Sequence, residues 1–296
     1  MVKIKSNRFK AFVVCFSFFF LSSLLTGCAR MALNMTGPSM IDAVSKRLFD
    51  TGSARLAQEG ISGDLLLITA LVEMSPDNHR LLSQCAFFYA ANGLFVEDEN
   101  PQFASELYKI GREYGLRALK TNKKFRKGIE SGGKFSELVK ELDKSYIEAI
   151  TWTAANMGLY MFLNMEDWNA FLDLVDMLAL VNRSMELDGD YFYGFGKLYT
   201  GIIYSFLPPL LCAECGEKPA EKMFKEAKKV TDGKLLLVDF YEAKFLSTLR
   251  KDEKQFEALM KGVMEGDSSA LKGGRLLNEL AKLKAEYALN HMKDSF

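Results

Sequence analysis

Residues 217–230 read Glu217-Lys218-Pro219-Ala220-Glu221-Lys222-Met223-Phe224-Lys225-Glu226-Ala227-Lys228-Lys229-Val230, and their spacing decides the fold class. Ala220, Phe224 and Ala227 stand four and three residues apart, which places them on one face of an α-helix, while lysines and glutamates occupy most of the rest. The same period continues outward. Leu236, Phe240, Ala243, Leu246 and Leu249 form one such stripe, and Leu276, Leu280, Leu283 and Tyr287 form another. Strand-like alternation is hard to find. Turn clusters such as Ser75-Pro76-Asp77-Asn78, Glu99-Asn100-Pro101, Ser131-Gly132-Gly133, Leu187-Asp188-Gly189-Asp190 and Thr231-Asp232-Gly233 separate the periodic segments. The pattern predicts an all-α chain of about ten to eleven helices with short connections. Ser39 with Asp42 and Asp252 with Gln255 fit capping boxes, and Pro76, Pro101 and Pro219 suit first helical turns.

The interval small, three residues, aromatic, two residues, small is that of second helices in tetratricopeptide repeats. There, small residues let neighbouring helices approach and the aromatic fills the gap between hairpins. Ala104, Tyr108 and Gly111 repeat it. Phe256 follows Phe224 by 32 residues, but Asp252 and Leu259 hold the small positions, so the array degrades. The expectation is an irregular TPR-like helical-hairpin solenoid.

The N-terminus has a different grammar. Lys3, Lys5, Arg8 and Lys10 precede an apolar run from Ala11 to Leu25, and Leu25-Thr26-Gly27-Cys28 follows. The run is about fifteen residues, shorter than the roughly twenty needed to span a bilayer, so it reads as a signal peptide. Leu-Thr-Gly-Cys looks like a lipobox, with cleavage after Gly27 and lipidation of Cys28. Each buried acyl methylene contributes about 0.8 kcal/mol, so two or three chains anchor durably. Ala29 stands where an inner-membrane retention signal would place Asp, which favours the outer membrane. The expected organisation is a signal peptide over 1–27, a lipidated tether over 28–40 and a single TPR-like domain over 41–296.

Removing residues 1–27 leaves 269 residues carrying 34 basic and 38 acidic side chains, which makes nucleic acid an unsuited partner. The basic run Lys123-Lys124-Phe125-Arg126-Lys127 reads as a solvated loop between helices. Cys212-Ala213-Glu214-Cys215 lacks two further zinc ligands nearby and a βαβ setting, so it reads as structural, either two packed thiols or a loop disulfide. No metal or cofactor is expected. The sequence has no G-x-S-x-G, H-E-x-x-H or phosphate-binding glycine motif, so an enzyme has no support.

Aromatics concentrate over 191–206, where Tyr191, Phe192, Tyr193, Phe195, Tyr199, Tyr204 and Phe206 interleave with Gly194, Gly196 and Gly201. For any one of them a place in the core is the plain reading. Three helical glycines cost roughly 1 kcal/mol each, so close approach must return something, and an aromatic groove or pore would fit. Trp152 and the stripe Met157, Tyr160 and Met161 are further candidates for an apolar cavity. The ligand-binding candidates are Trp152, Tyr160, Tyr191, Tyr193, Phe195 and Tyr199.

Several collinear segments carry a family resemblance: Ser75-Pro76-Asp77-Asn78 with Leu81-Leu82; Gly111-Arg112-Glu113-Tyr114-Gly115-Leu116-Arg117-Ala118-Leu119; Trp152-Thr153-Ala154-Ala155; Leu207-Pro208; and Glu217 to Phe224. Together they resemble the TatT family, the T component associated with tripartite ATP-independent periplasmic (TRAP) transporters. The resemblance implies a periplasm-facing lipoprotein that forms a homotrimer, holds a hydrophobic passage in each subunit and docks a periplasmic substrate-binding protein. The implied cargo is a small molecule of hydrophobic character, such as an organic or fatty acid. Cys212 to Gly216 departs from the Gly-Gly turn of relatives, which puts the local loop shape in question. The alternative is an envelope scaffold for protein–protein interaction without a small ligand.

Overall fold

The computed structural model describes residues 34–292, and its regular structure is helical throughout, with no strand among the described residues. Helix α1 runs over 34–50. It is followed by α2 (Ala54–Met74), α3 (His79–Val96), α4 (Pro101–Lys120), α5 (Lys123–Glu130), α6 (Phe135–Leu138), α7 (Ile147–Leu163), α8 (Leu174–Asp188), α9 (Tyr191–Phe206) and α10 (Glu217–Val230). The C-terminal part comprises α11 (Leu236–Tyr241), a π-helical turn (Glu242–Ser247), α12 (Thr248–Arg250), α13 (Glu253–Glu265) and α14 (Arg275–Asn290). The pieces outnumber the expected ten or eleven because short helices fill stretches that sequence reads as loops. Cleavage at Gly27 and lipidation at Cys28 concern positions outside the described residues.

Hairpins build the solid. α3 and α4 pack as a pair, α7 lies against both, α8 lies on α7, and α9 pairs with α10. The aromatic of each repeat-like motif does what its spacing requires. Tyr108 is fully buried on Gly93 of α3, where a Cβ would overlap its ring, and its hydroxyl donates to Glu97 at 2.5 Å. Phe224 is fully buried with Ala220 and Ala227, a burial that contributes about 1.5–3 kcal/mol. Polar cross-links add register: Asn156 Nδ2 donates to the Ala86 carbonyl at 2.9 Å, and Thr151 and Ser184 share a hydrogen bond of 2.8 Å.

Several local expectations change on folding. Residues 34–40, read as the end of a tether, are helical, with the Asn34 side chain bound by Ser75 and Asn78. Helix α1 therefore runs through Ser39 and Asp42, and Asp42 accepts from Gln84 and Arg80 instead of closing a capping box. The basic run at 123–127 is helix α5, capped by Asn122 and pinned by the buried Phe125 while its lysines stay exposed. Asp252 caps α13 through Gln255 N, but the Gln255 amide oxygen accepts from Ser247. The stripe that begins at Leu236 loses Leu249, which is exposed. A π turn adds a residue to one turn and rotates everything after it off the face. In α14, Leu276 and Leu280 are buried but Leu283 and Tyr287 are not, because Lys284 and Ala285 take the inner side. Cys212 and Cys215 form a disulfide, the second of the two structural readings.

Two buried apolar clusters result, one gathered mainly from α1 to α9 and the other from α9 to α14. Helices α7, α9, α11 and α14 meet along the seam between them.

Candidate functional site

The seam is not filled. A cavity of about 80 Å³ is walled by both clusters, including Phe95 and Leu280 from the first and Leu198 and Leu237 from the second. A second of about 60 Å³ adjoins it, sharing the walls Leu94, Trp152, Phe195, Leu198 and Tyr241. Their combined scale is near the roughly 150 Å³ at which an apolar protein cavity stays dry and admits a benzene-sized molecule. A wider, polar mouth of about 450 Å³ shares Phe49, Phe87, Trp152 and Phe192 with the first chamber.

Helix α7 is the spine of this passage. Glu148, Trp152, Ala155, Leu159 and Phe162 succeed one another by four and three residues, so they lie along one face, with Glu148 at the mouth and Phe162 in the inner chamber. Fourteen residues of helix span about 21 Å. Of the candidates, Trp152 and Phe195 line both chambers, Tyr199 lines the inner one, and Tyr191 and Tyr193 line the mouth. Tyr160 lines none of the three. It lies roughly 200° of helix rotation from Phe162, and its ring sits beneath the Lys109 ammonium on another side of α7, at 4.9 Å.

The aromatic segment is not one straight helix. Phe192, Tyr193 and Gly194 have φ of 47°, 60° and 77°, a left-handed turn inside α9. Such a conformation in bulky residues costs on the order of 1–3 kcal/mol each and persists only where surroundings enforce it. Here Tyr193 donates to the Gly273 carbonyl at 2.8 Å. The turn sends Tyr191 and Tyr193 to the mouth and leaves Phe192 between mouth and chamber. Phe192 packs 4.9 Å from Trp152 and 5.6 Å from Phe49, and Phe87 lies 4.7 Å from Trp152 (ring centroids), so four rings form a constriction. Beyond it, Tyr199 lies against Gly158, which has no room for a Cβ, and donates to the Ala154 carbonyl at 3.1 Å.

Charge enters the passage at its two ends. At the mouth, burial and then the neighbouring Asp42 push the Glu148 carboxyl up to about 7, and Arg80 opposes them. The inner chamber holds Glu97 and Lys244 among apolar walls. Glu97 is occupied by Tyr108 and by Lys284, whose ammonium also pairs with Asp98 at 2.8 Å. Lys244 stands over the rings of Phe162 and Phe240, at 5.4 and 5.8 Å. Sequence reasoning missed both ends. For Lys244 a signal existed: it follows Phe240 by four residues and so puts a charge on an apolar stripe. Glu148 carries no comparable signal, because an acid in a helix's first turn is ordinary.

No described helix is long and apolar enough to cross a membrane, and no group of three or more metal-ligating side chains converges among the described residues. A family model described as "TRAP transporter T-component" matches residues 53–296. Among curated proteins, none matches the chain.

Proposed function

The chain belongs to the TRAP transporter T-component family and is thus an accessory component associated with an envelope transport system, and from that premise we propose that it binds a small apolar ligand in the seam cavity and docks the system's periplasmic substrate-binding protein. The observation that carries the ligand half is the apolar passage along α7, whose walls come from seven helices and the π turn and whose mouth opens beside Tyr191. A solid of this size normally closes such space, since interiors pack to crystal density. On this reading the aromatics of α9 bind rather than merely fill. Tethering through Cys28 would hold the domain at the outer membrane, facing the periplasm, where a substrate-binding protein diffuses.

The docking half has its own support in the surface. Trp168, Leu172 and Val175 are 80, 79 and 66 % exposed within one short stretch. An apolar run of this kind is what a partner or a second copy covers, and the homotrimer belongs to the same proposal. Native mass spectrometry of the protein, alone and with the substrate-binding protein of its transport system, tests both halves. A trimer carrying an apolar adduct that is lost in Ala155→Phe, and a 3:3 complex, are the expected results. A monomer without adduct or partner would overturn the reading and leave a helical envelope scaffold.

A further inference from the structure

The mouth of the passage holds two hydrogen-bond acceptors to which the fold supplies no donor. Gln84 lines the mouth from α3 and is 3 % exposed. Its amide nitrogen donates to the Pro38 carbonyl at 3.1 Å and to Asp42 Oδ1 at 2.7 Å. Both partners are acceptors, so together they fix which way the amide points and leave Oε1 needing a donor. Among the described residues that oxygen has no hydrogen-bond partner, a costly condition for a buried polar atom. Glu148 lines the same space from the first turn of α7, and no hydrogen bond or ion pair engages its carboxyl among the described residues.

The charges around Glu148 do not supply what it lacks. Asp42 has the same sign, and Arg80 acts on Glu148 only through space while its guanidinium pairs with Asp42 at 2.8 Å. Lys46, Asp50 and Lys272 also line the mouth, and all three are exposed to solvent. The remaining titratable groups there are the hydroxyls of Tyr191 and Tyr193, and burial raises the pKa of both.

The opposing wall is aromatic. Trp152 follows Glu148 by about one helical turn, and the rings of Phe87 and Phe192 pack on it at 4.7 and 4.9 Å. Aromatic faces attract cations, most strongly where water is excluded. An ammonium group carries three N–H donors and no acceptor, so it answers both oxygens at once. A carboxylate would bring more lone pairs to a place already short of donors, and a hydroxyl would bring one donor and no charge.

We propose that the mouth is a binding site for a small primary ammonium ion, with its nitrogen held by the Glu148 carboxylate and Gln84 Oε1 and its alkyl stem against Trp152. At about 450 Å³ the mouth lies within the size range of small-molecule sites. The proposal goes beyond the apolar passage behind the mouth and does not depend on what the chambers hold.

The test is isothermal titration calorimetry of the full chain with butylammonium, 1-butanol and butyrate at pH 8. Butylammonium is expected to bind at least about tenfold more tightly than either of the others, the scale on which a charge-assisted hydrogen bond discriminates. Burial and Asp42 push the Glu148 carboxyl up to about 7 in the free protein, so butylammonium binding should strengthen between pH 5 and pH 8 as that carboxyl ionises. Glu148→Gln, with its fold intact by circular dichroism, is expected to lose both the preference for butylammonium and its pH dependence. Equal affinity for butylammonium and 1-butanol, tightest binding of butyrate, or a preference that survives Glu148→Gln would overturn the site. So would the absence of binding by all three, checked by equilibrium dialysis. None of these results bears on an apolar adduct in the chambers, so the reading of the passage stands or falls by its own test.

Discussion

Two lysines stand near Glu97 and Asp98 at the inner end of the passage, Lys284 from α14 and Lys244 from the π turn, and they are handled in opposite ways. Lys284 is 1 % exposed and sits between Glu97 and Asp98. Burial alone would lower its pKa, but the two carboxylates outweigh it and raise the pKa above the ordinary lysine value. Lys244 makes no ion pair among the described residues, Glu97 and Asp98 act on it only through space, and there burial prevails. The difference teaches that a buried charge is a structural element when its partner is built into the same fold, and carries the cost of its burial when it is not.

Breaking the paired side produces the largest effect. Lys284→Met strands two carboxylates at the seam, and removing one partner of a buried ion pair costs about 3–5 kcal/mol; urea unfolding at neutral pH is the measurement. Because the Lys284 pKa is raised on folding, its contribution is fully present below the ordinary lysine pKa of 10.5 and is lost only as pH rises through the folded value. The stability difference between wild type and variant therefore persists across neutral pH and narrows in strong alkali.

The mouth supplies the intermediate effect. Glu148 is raised from 4.5 to about 7 in the fold, so the native state holds its proton more tightly than the unfolded chain. Its contribution is complete below 4.5 and disappears as pH rises through about 7. Glu148→Gln should flatten that slope and make the protein more stable than wild type at pH 8 by roughly 2 kcal/mol. Equal slopes in thermal melts between pH 5 and pH 8 would contradict the burial of this carboxyl.

Lys244→Met should have the smallest effect on stability and the opposite sign from Lys284→Met. Exchanging a partly buried ammonium that makes no ion pair among the described residues for an apolar side chain of similar length leaves stability unchanged or raises it by about 1 kcal/mol. A loss of several kcal/mol in the same urea series would mean that Lys244 is structural after all, and the contrast between the two lysines would collapse.

Much of the fold was legible because helical periodicity is local. Ala220, Phe224 and Ala227 announce a buried face without knowledge of what covers it, and Tyr108 lies where the repeat-like spacing places it, although its glycine partner belongs to another helix. Legibility failed where a local rule met a nonlocal competitor. Ser39 and Asp42 look like a cap until Gln84 and Arg80 claim Asp42 from α3. The stripe ending in Leu249 holds until a π turn shifts its phase. Trp152, Phe195 and Tyr199 could be chosen as cavity candidates because aromatics and glycines cluster conspicuously along the chain. Leu94, Leu198 and Tyr241, which complete the same walls, look like any other core residues in sequence.

By itself, the sequence determined that this chain is helical and that its hairpins pack through small and aromatic residues, since each of these is written in residues a few positions apart. Tertiary structure alone decided that the seam between two cores stays open, that Phe192 turns left-handed to narrow its mouth, and that Lys284 is paired while Lys244 is not. Those outcomes depend on which helices meet. A cavity is a property of the space between helices, and no spacing along one of them encodes it.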